Sequence, residues 1–216
     1  MNWKLVIFDL DGTLFDTIAD LGTAVNHALE RKGLPLHSRE EYRLMVGNGV
    51  RNLVWRAMPD SLKDDKALHE ALLADFMEYY CAHINIHSRP YAGMVELLGE
   101  LQSRGTGLAV ASNKFQAGTE ALVGKFFPDV KFACVFGGRD GMPLKPDPAV
   151  VKLIMDAASA APEETVMVGD SATDTATASA AGIRSIAVSW GFRPAEAAAS
   201  ADYVAGSVAE LRGLLL

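Results

Sequence analysis

The chain is predicted to form a doubly wound α/β fold: a parallel sheet covered by helices on both faces, with a small helical domain inserted near its start. Short, almost purely apolar runs recur along the 216 residues, and helix-like segments separate them. Strands that are buried on both faces have this composition, and alternation with helices is typical of right-handed βαβ units. A long helical stretch after the first apolar run predicts the inserted domain.

The composition is that of a packed, acidic protein. Half of the residues are apolar, which is enough for a core and excludes a chain that is disordered throughout. The 20 Lys and Arg residues against 27 Asp and Glu residues give a formal net charge of −7. An acidic surface repels phosphodiester backbones, so nucleic acid is not expected among the partners.

Neither membrane insertion nor disulfide bonding is expected. No apolar run approaches the roughly 20 residues that cross a bilayer, and the run near the N-terminus is too short for the core of a signal peptide. Cys81 and Cys134 are too few and too far apart to indicate a disulfide framework or a zinc site. We therefore expect a reduced, cytoplasmic protein that has no membrane partner.

Five apolar runs are the predicted strands of the sheet. In chain order they cover residues 4–8, 108–111, 133–136, 166–169 and 185–188. Three of them stop at a polar residue, namely Asp9, Ser112 and Asp170. These residues mark one edge of the predicted sheet, where the strands end and the loops begin.

Helix-like segments alternate with these strands. Residues 94–104 place apolar side chains at a helical period and precede Gly105, a residue type that commonly ends helices. Asp147 and Pro148 predict the start of a helix over residues 149–157, and an alanine-rich segment over residues 171–181 predicts another. The pair Ser207 and Glu210 has the spacing of a capping box, which predicts a C-terminal helix.

The stretch from residue 16 to residue 89 interrupts the alternation. It contains no convincing strand, whereas Ser38 and Glu41 have capping-box spacing and residues 67–84 repeat apolar side chains at helical spacing. The stretch is too long for a bare loop. We therefore predict an α/β core over residues 1–15 and 90–216 and a helical domain over residues 16–89.

Polar residues at the strand ends predict one functional crevice. In open α/β sheets, ligands bind beyond the carboxyl ends of the strands. Asp9, Ser112 and Asp170 stand at such ends, and Lys145 lies in the loop after the strand over residues 133–136. We therefore expect these four side chains to converge.

The acidic residues in this crevice predict a metal ion. Asp9, Asp11 and Asp170 would bring several negative oxygens together, and like charges at close range need a counter-ion. A hard divalent cation, Mg²⁺ before others, fits an all-oxygen cluster. Lys145 adds a point charge that is suited to phosphate.

The neighbours of these residues supply hydrogen-bond donors. The hydroxyl of Ser112 and the backbone around Asn113 can donate to phosphate oxygens, and Gly12 and Thr13 permit a tight turn that aims backbone amides inward. A cation, a lysine and several donors around a carboxylate indicate phosphoryl transfer through an aspartyl-phosphate.

Four segments, in this order, resemble the motifs of the haloacid dehalogenase-like hydrolase superfamily. They are residues 9–17 (DLDGTLFDT), 111–113 (ASN), 145–146 (KP) and 169–174 (GDSATD). The order and the separations both fit, and the match covers nearly the whole chain. The resemblance implies a Rossmann-like core with an inserted helical cap, and a small phosphorylated metabolite as the substrate.

The resemblance implies a role for each matched residue. Asp9 would be the nucleophile that attacks phosphorus, while Asp11 would protonate the leaving oxygen and then take a proton from the hydrolytic water. Mg²⁺ would be held by Asp9, the backbone carbonyl of Asp11, and Asp170, and Asp174 would support the metal or Lys145. The groups that hold the transferring phosphoryl group would belong to Ser112, Asn113 and Lys145.

The resemblance also makes residues 16–89 a lid that reads the substrate. Residues 47–53 (GNGVRNL) resemble the corresponding loop of phosphoglycolate phosphatase-like members. Gly47 and Asn48 precede a helix and would offer free amides to an anion, and Arg51 or Arg56 would add a fork of donors. Those members often carry Arg-Asn where this chain has Ala172 and Thr173.

The sequence therefore predicts a Mg²⁺-dependent phosphatase of a small phosphate monoester such as phosphoglycolate, acting as a monomer or weak homodimer. Within the superfamily the alternatives are a sugar-phosphate phosphatase, a nucleotidase, a pyrophosphatase and a β-phosphoglucomutase. A phospho-accepting receiver domain is the alternative from another class. The insert and the pair Asp9 and Asp11 argue against a receiver, which needs neither a lid nor an acid for a leaving group.

Overall fold

The computed structural model describes residues 3–216 and contains a six-stranded parallel sheet. The strand order is β5-β4-β1-β6-β7-β8. The strands are β1 (Leu5–Phe8), β4 (Gly107–Phe115), β5 (Phe132–Gly138), β6 (Thr165–Gly169), β7 (Arg184–Val188) and β8 (Tyr203–Ala205). The predicted fold class is confirmed, and all five apolar runs are strands.

Strand β1 lies at the centre of the sheet and faces both helical layers. Leu5 and Ile7 belong to one buried cluster, and Val6 and Phe8 belong to another on the opposite face. Successive side chains of a strand point to opposite faces, so an apolar run of this kind is buried on both sides. Strand β8 was not predicted. It has only three residues, it lies at the edge of the sheet, and its Val204 is exposed.

Helices cover the two faces of the sheet. Those of the core are α5 (Met94–Ser103), α6 (Gln116–Phe126), α7 (Ala149–Ala158), α8 (Ala172–Ala181), α9 (Pro194–Ala198) and α10 (Val208–Leu215). Side chains of α7 and α8 join the cluster of Leu5 and Ile7, whereas those of α5, α6 and α10 join the cluster of Val6 and Phe8. This arrangement is a doubly wound sheet. In the described part of the chain, no helix is both long enough and apolar enough to cross a membrane.

The segment between β1 and α5 is mostly helical. Its helices are α1 (Ile18–Arg31), α2 (Arg39–Met45), α3 (Val50–Ala57) and α4 (Lys66–His83), and a short 3-10 turn follows α3. Two short antiparallel strands, β2 (Phe15–Asp16) and β3 (Arg89–Pro90), pair where the segment begins and ends. The expectation of no strand in this stretch is therefore wrong at its two ends, since a two-residue strand leaves no periodic pattern in a sequence.

The predicted helix starts are largely confirmed. Ser38 Oγ accepts from the Glu41 N–H, and the Ser38 N–H donates to Glu41 Oε2 at 2.7 Å, which completes the capping box. Helix α7 begins at Ala149, whose N–H donates to Asp147 Oδ1 at 2.9 Å. The side chain of Ser207 caps α10 by accepting from the backbone N–H three residues later.

Candidate active site

The carboxyl edge of the sheet gathers the polar residues at the strand ends. Asp9 follows β1, Ser112 lies within β4, and Asp170 follows β6; all three are buried. The prediction that the strand stops at Ser112 is wrong, because β4 continues to Phe115, which pairs with Gly138 of β5. Lys145 lies in the loop between β5 and α7 and is only 4% exposed. Its Nζ donates to Asp9 Oδ1 at 2.8 Å and to Asp174 Oδ1 at 2.7 Å. Four sequence-distant segments therefore meet at one point.

Three carboxylates form a compact acidic cluster. One oxygen each from Asp9, Asp170 and Asp174 lies within 4.8 Å of the others. A Cβ at Gly12 or at Gly191 would collide with the Asp170 side chain, so only glycine leaves room for this carboxylate. An all-oxygen, buried donor set of this kind suits a hard divalent cation such as Mg²⁺.

The charges of the cluster do not balance. When ionised, the three carboxylates carry three negative charges, and the Lys145 ammonium between two of them carries one positive charge. Burial raises the pKa of Asp9 from 3.8 to about 7 and that of Asp170 from 3.8 to about 8, because desolvation disfavours the charged forms. Burial lowers the pKa of Lys145, but the carboxylates of Asp174 and Asp9 outweigh this effect and raise it above its usual range. A divalent cation would balance the remaining two negative charges.

Backbone and hydroxyl donors bind two carboxylates of the cluster, those of Asp170 and Asp174. The Phe192 N–H donates to Asp170 Oδ2 at 2.6 Å, and Thr13 Oγ1 donates to Asp170 Oδ1 at 3.4 Å. Asp174 Oδ2 accepts from the N–H and, at 2.7 Å, from the hydroxyl of Ser171, which opens helix α8. The carboxylates of Asp170 and Asp174 are thereby held in one orientation.

The Asp11 side chain lies outside the cluster of three carboxylates but lines the same cavity. Its Oδ1 accepts from Thr17 Oγ1 at 2.7 Å and from Lys114 Nζ at 3.3 Å. Asp16, in contrast, caps helix α1 by accepting from the Ile18 N–H at 3.3 Å. Asp11 is therefore positioned as a separate acid beside Asp9, with its own hydroxyl and ammonium partners.

The Asn113 side chain holds the loop that carries Lys145. Its Oδ1 accepts from the Lys145 N–H at 2.8 Å, and its Nδ2 donates to the Lys145 carbonyl at 2.9 Å. The neighbouring Ser112 Oγ accepts from the Lys114 N–H at 3.2 Å. Because both polar atoms of the Asn113 side chain bind Lys145, the group that we expect to contact phosphate at this position is the backbone.

A cavity of about 580 Å³, counting the space that opens to solvent, lies above the cluster. Its upper wall is the loop between α2 and α3, which includes Gly47 and Asn48. The φ angles of Gly47, Asn48 and Gly49 are 115°, 62° and 85°, a left-handed run that favours the two glycines. Asn48 Oδ1 accepts from Thr173 Oγ1 at 3.2 Å. The inserted helices therefore close over the acidic cluster in this structure.

Comparison with known proteins decides the family. A family model described as haloacid dehalogenase-like hydrolase matches residues 6–188. The chain belongs to this family. The matched span includes all four motifs and every residue of the acidic cluster.

Individual members of the haloacid dehalogenase-like family resemble the chain over most of its length. A phosphoglycolate phosphatase of Chromobacterium violaceum is 36% identical over 216 residues, which cover 98% of this chain and 96% of the relative. One of Mesorhizobium japonicum is 36% identical over 193 residues, or 89% of this chain and 85% of the relative. The crystal structure of a predicted phosphoglycolate phosphatase from Haemophilus somnus superposes with a TM-score of 0.92 at 28% identity, covering 99% of this chain and 98% of the other. The chain is a phosphoglycolate phosphatase-like member of the family, and thus a phosphatase that acts on phosphoric monoesters.

Arg51 lies on the exposed surface, apart from Gly47 and Asn48 in the cavity wall. The residue lies in the first turn of α3, and its guanidinium pairs with Glu70 of α4 on the exposed surface. Arg51 is not among the residues that line the cavity, and its role as a reader of the substrate stays a prediction. The packing of α3 against α4 turns this position outward. Gly12 and Thr13 also lie behind Asp170 rather than along the cavity wall.

Two basic residues of the cavity were not predicted. Lys114 has a fully buried side chain, and its Nζ donates to Tyr80 OH at 2.6 Å in addition to its contact with Asp11. Residues two apart on a strand share a face, so the position of Ser112 could have indicated Lys114. Arg193 lines the cavity next to Gly47, and no pattern in the sequence marks it.

Proposed function

We propose that this phosphatase hydrolyses a small phosphate monoester, phosphoglycolate or a close analogue, in two steps through an aspartyl-phosphate on Asp9. The observation that carries the proposal is the position of the Asp9 carboxylate: it lies at the tip of the central strand, 2.8 Å from Lys145 Nζ and beside two further buried carboxylates. An anion that is surrounded in this way is pre-oriented for attack on a phosphorus atom.

In the first step, an Asp9 oxygen forms a bond to phosphorus and the bond to the ester oxygen breaks. Asp11 donates a proton to this leaving oxygen, so that a neutral alcohol departs. The ammonium of Lys145 and the hydroxyl of Ser112 offset the negative charge on the phosphoryl oxygens. Mg²⁺ held by Asp9, the Asp11 carbonyl and Asp170 would neutralise the excess negative charge of the site.

In the second step, water attacks the phosphorus of the aspartyl-phosphate. Asp11, which is now ionised, takes a proton from the water, and the bond between phosphorus and the Asp9 oxygen breaks. Phosphate leaves, and both carboxyl groups return to their initial state. Thr17 and Lys114 orient the Asp11 carboxylate for both transfers because they bind the same oxygen.

The proposal assigns residues 16–89 as a cap that excludes water from the cavity. Contacts from the cap to the core support it: Asn48 bonds to Thr173, and Arg43 donates to the Gly191 carbonyl at 2.6 Å. A closed lid strengthens electrostatic interactions at the reacting phosphorus. The family relatives named as phosphoglycolate phosphatases support the choice of substrate. A cytoplasmic location and a monomeric or weakly dimeric state remain predictions.

Turnover of phosphoglycolate and of p-nitrophenyl phosphate tests the proposal. With Mg²⁺, we expect repeated release of inorganic phosphate from both esters, which a chelator abolishes. A single stoichiometric phosphorylation would instead indicate a receiver domain. A phosphoryl group that stays on the enzyme until a bisphosphate primer is added would indicate a mutase.

A further inference from the structure

Arg193 differs from the other basic residues of the cavity in its partners. Lys145 is paired with Asp9 and Asp174, and Lys114 is paired with Asp11. Among residues 3–216, the one carboxylate recorded near the Arg193 guanidinium is that of Glu196, at 3.7 Å and on the exposed surface. The Arg193 side chain itself is only 15% exposed. A guanidinium that is largely buried in a ligand cavity without a buried carboxylate has donors to offer to a ligand.

The backbone around Arg193 is held at two points. The preceding residue, Phe192, donates its N–H to Asp170 Oδ2, and the carbonyl of Gly191 accepts from Arg43 of the inserted helices. Arg193 therefore follows a loop that is tied both to the acidic cluster and to the cap. A residue on such a loop keeps its position relative to a phosphoryl group bound at the cluster.

A second guanidinium adds positive charge at the same end of the cavity. Arg56 donates to the carbonyls of Met45 and Gly47 at 2.6 and 3.1 Å, and Arg193 Nη2 lies against Gly47 from the other side. Burial and the nearby Arg193 charge both lower the pKa of Arg56, which reflects this proximity. The cavity thus has acidic residues at its base and Arg193 in its wall on the cap side, and Arg56 lies behind the loop that carries Gly47.

We propose that Arg193 binds a second negative group on the leaving part of the substrate, so that the enzyme selects small phosphate esters that carry a carboxylate or a second phosphate. This inference rests on the proposed function, since it places the phosphoryl group at Asp9. A planar guanidinium matches either anion with paired hydrogen bonds. The carboxylate of phosphoglycolate has this chemistry, whereas an ester with an uncharged leaving group would leave Arg193 without a partner.

The test compares two esters of nearly the same size, 2-phosphoglycolate and 2-hydroxyethyl phosphate, in the wild type and in Arg193→Gln. The ratio of kcat/KM for the charged ester to that for the neutral ester should fall by about 10- to 100-fold in the variant, because one charged hydrogen-bonding partner is lost. Arg193→Lys should recover part of the ratio. Arg184→Gln is the control, because that guanidinium is exposed and pairs with Asp202 far from the cavity wall. Fructose 1,6-bisphosphate serves as the second-phosphate substrate and shows which anion the site prefers.

An equal loss of kcat/KM for both esters would overturn the role of Arg193, since it would indicate a structural defect where Arg193 contacts the loop between α2 and α3. Unchanged kcat/KM values for both esters would overturn it as well. Calorimetric binding of phosphonoacetate against methylphosphonate gives the same comparison without turnover, and a wild-type preference that Arg193→Gln retains would contradict the inference. If the wild type hydrolyses none of the esters, the proposed function fails, and this binding comparison still decides the role of Arg193.

Discussion

The hydroxyl of Tyr80 accepts a 2.6 Å hydrogen bond from Lys114 Nζ, and this bond joins helix α4 of the insert to strand β4 of the core. Both side chains are fully buried. Lys114 has one further partner, the Asp11 carboxylate at 3.3 Å. The proposed general acid is therefore connected to helix α4 through Lys114, in addition to its hydrogen bond with Thr17 at the start of α1.

Tyr80→Phe should destabilise the protein because it leaves a buried ammonium with one partner. We expect a loss of about 1–3 kcal/mol in the free energy of unfolding, measured by urea denaturation. Activity should fall too, since Lys114 would no longer be held toward Asp11. Tyr79→Phe on the same helix is the matched control, because Tyr79 is partly exposed and its ring stacks on His27 and His83. Equal stability of both variants would contradict a supporting role for the Tyr80 hydroxyl.

Arg51→Ala should change catalysis little, although the residue belongs to the segment over residues 47–53, which resembles the substrate-reading loop of relatives. Its ion pair with Glu70 is exposed, and exposed pairs contribute about 0–1 kcal/mol. We therefore expect kcat/KM for phosphoglycolate to stay within about twofold of the wild-type value, which steady-state kinetics can check. A large rise in KM would mean that Arg51 turns into the cavity when substrate binds.

Asn113→Ala should reduce activity more than it reduces stability. The substitution removes both hydrogen bonds that hold the Lys145 backbone, so the ammonium loses its fixed position beside Asp9. We expect kcat to fall by about 10-fold or more, in line with the sensitivity of catalysis to small misplacements. Gln102→Ala is the control, because that exposed amide also makes two backbone hydrogen bonds, to the Asp129 carbonyl and from the Lys131 N–H, and does not line the cavity. Unchanged kcat in Asn113→Ala would show that Lys145 is positioned by its carboxylate partners alone.

The sequence predicts the core of the fold and of the site because strand ends can be recognised locally. Asp9, Ser112 and Asp170 each follow an apolar run, and parallel strands bring their ends to one edge, so their convergence needs no knowledge of packing. Lys145 is predicted from its place in the loop after β5.

Residues whose surroundings depend on the docking of the inserted helices could not be predicted in this way. Two arginines are examples. Arg51 lies on the exposed surface, where α3 packs on α4. Arg193 lines the cavity, where it contacts Gly47 in the loop between α2 and α3. Neither outcome follows from a local pattern. The side chain of Asn113 is a similar case, because its partner lies 32 residues away in the chain.

The raised pKa values of two carboxyl groups predict how the stability of the metal-free protein depends on pH. Burial raises the pKa of Asp9 to about 7 and that of Asp170 to about 8, from 3.8 for both. Between about pH 4 and pH 8 the folded state therefore binds more protons than the unfolded chain, so this contribution to the free energy of unfolding falls as pH rises. It is fully present only below the unfolded-state pKa near 4.

Thermal unfolding with a chelator, at pH 6 and at pH 8, measures this effect. Wild type should lose more stability between the two pH values than Asp170→Asn, which lacks one of the titrating groups. Added Mg²⁺ should raise Tm more at pH 8, where the carboxylates are ionised, and should raise it little in Asp170→Asn. A Tm increase of equal size at both pH values in both proteins would argue against a metal site at this cluster.

The covalent step at Asp9 is the central claim, and labelling of the enzyme tests it most directly. Asp11→Asn should slow hydrolysis of the intermediate, so that brief exposure to ³²P-labelled p-nitrophenyl phosphate, whose leaving group needs no proton from Asp11, with Mg²⁺, acid quenching and peptide mapping should place the label on Asp9. Asp9→Asn should remain unlabelled and lose nearly all turnover while keeping its fold. Label on another residue, or substantial turnover by Asp9→Asn, would contradict the account.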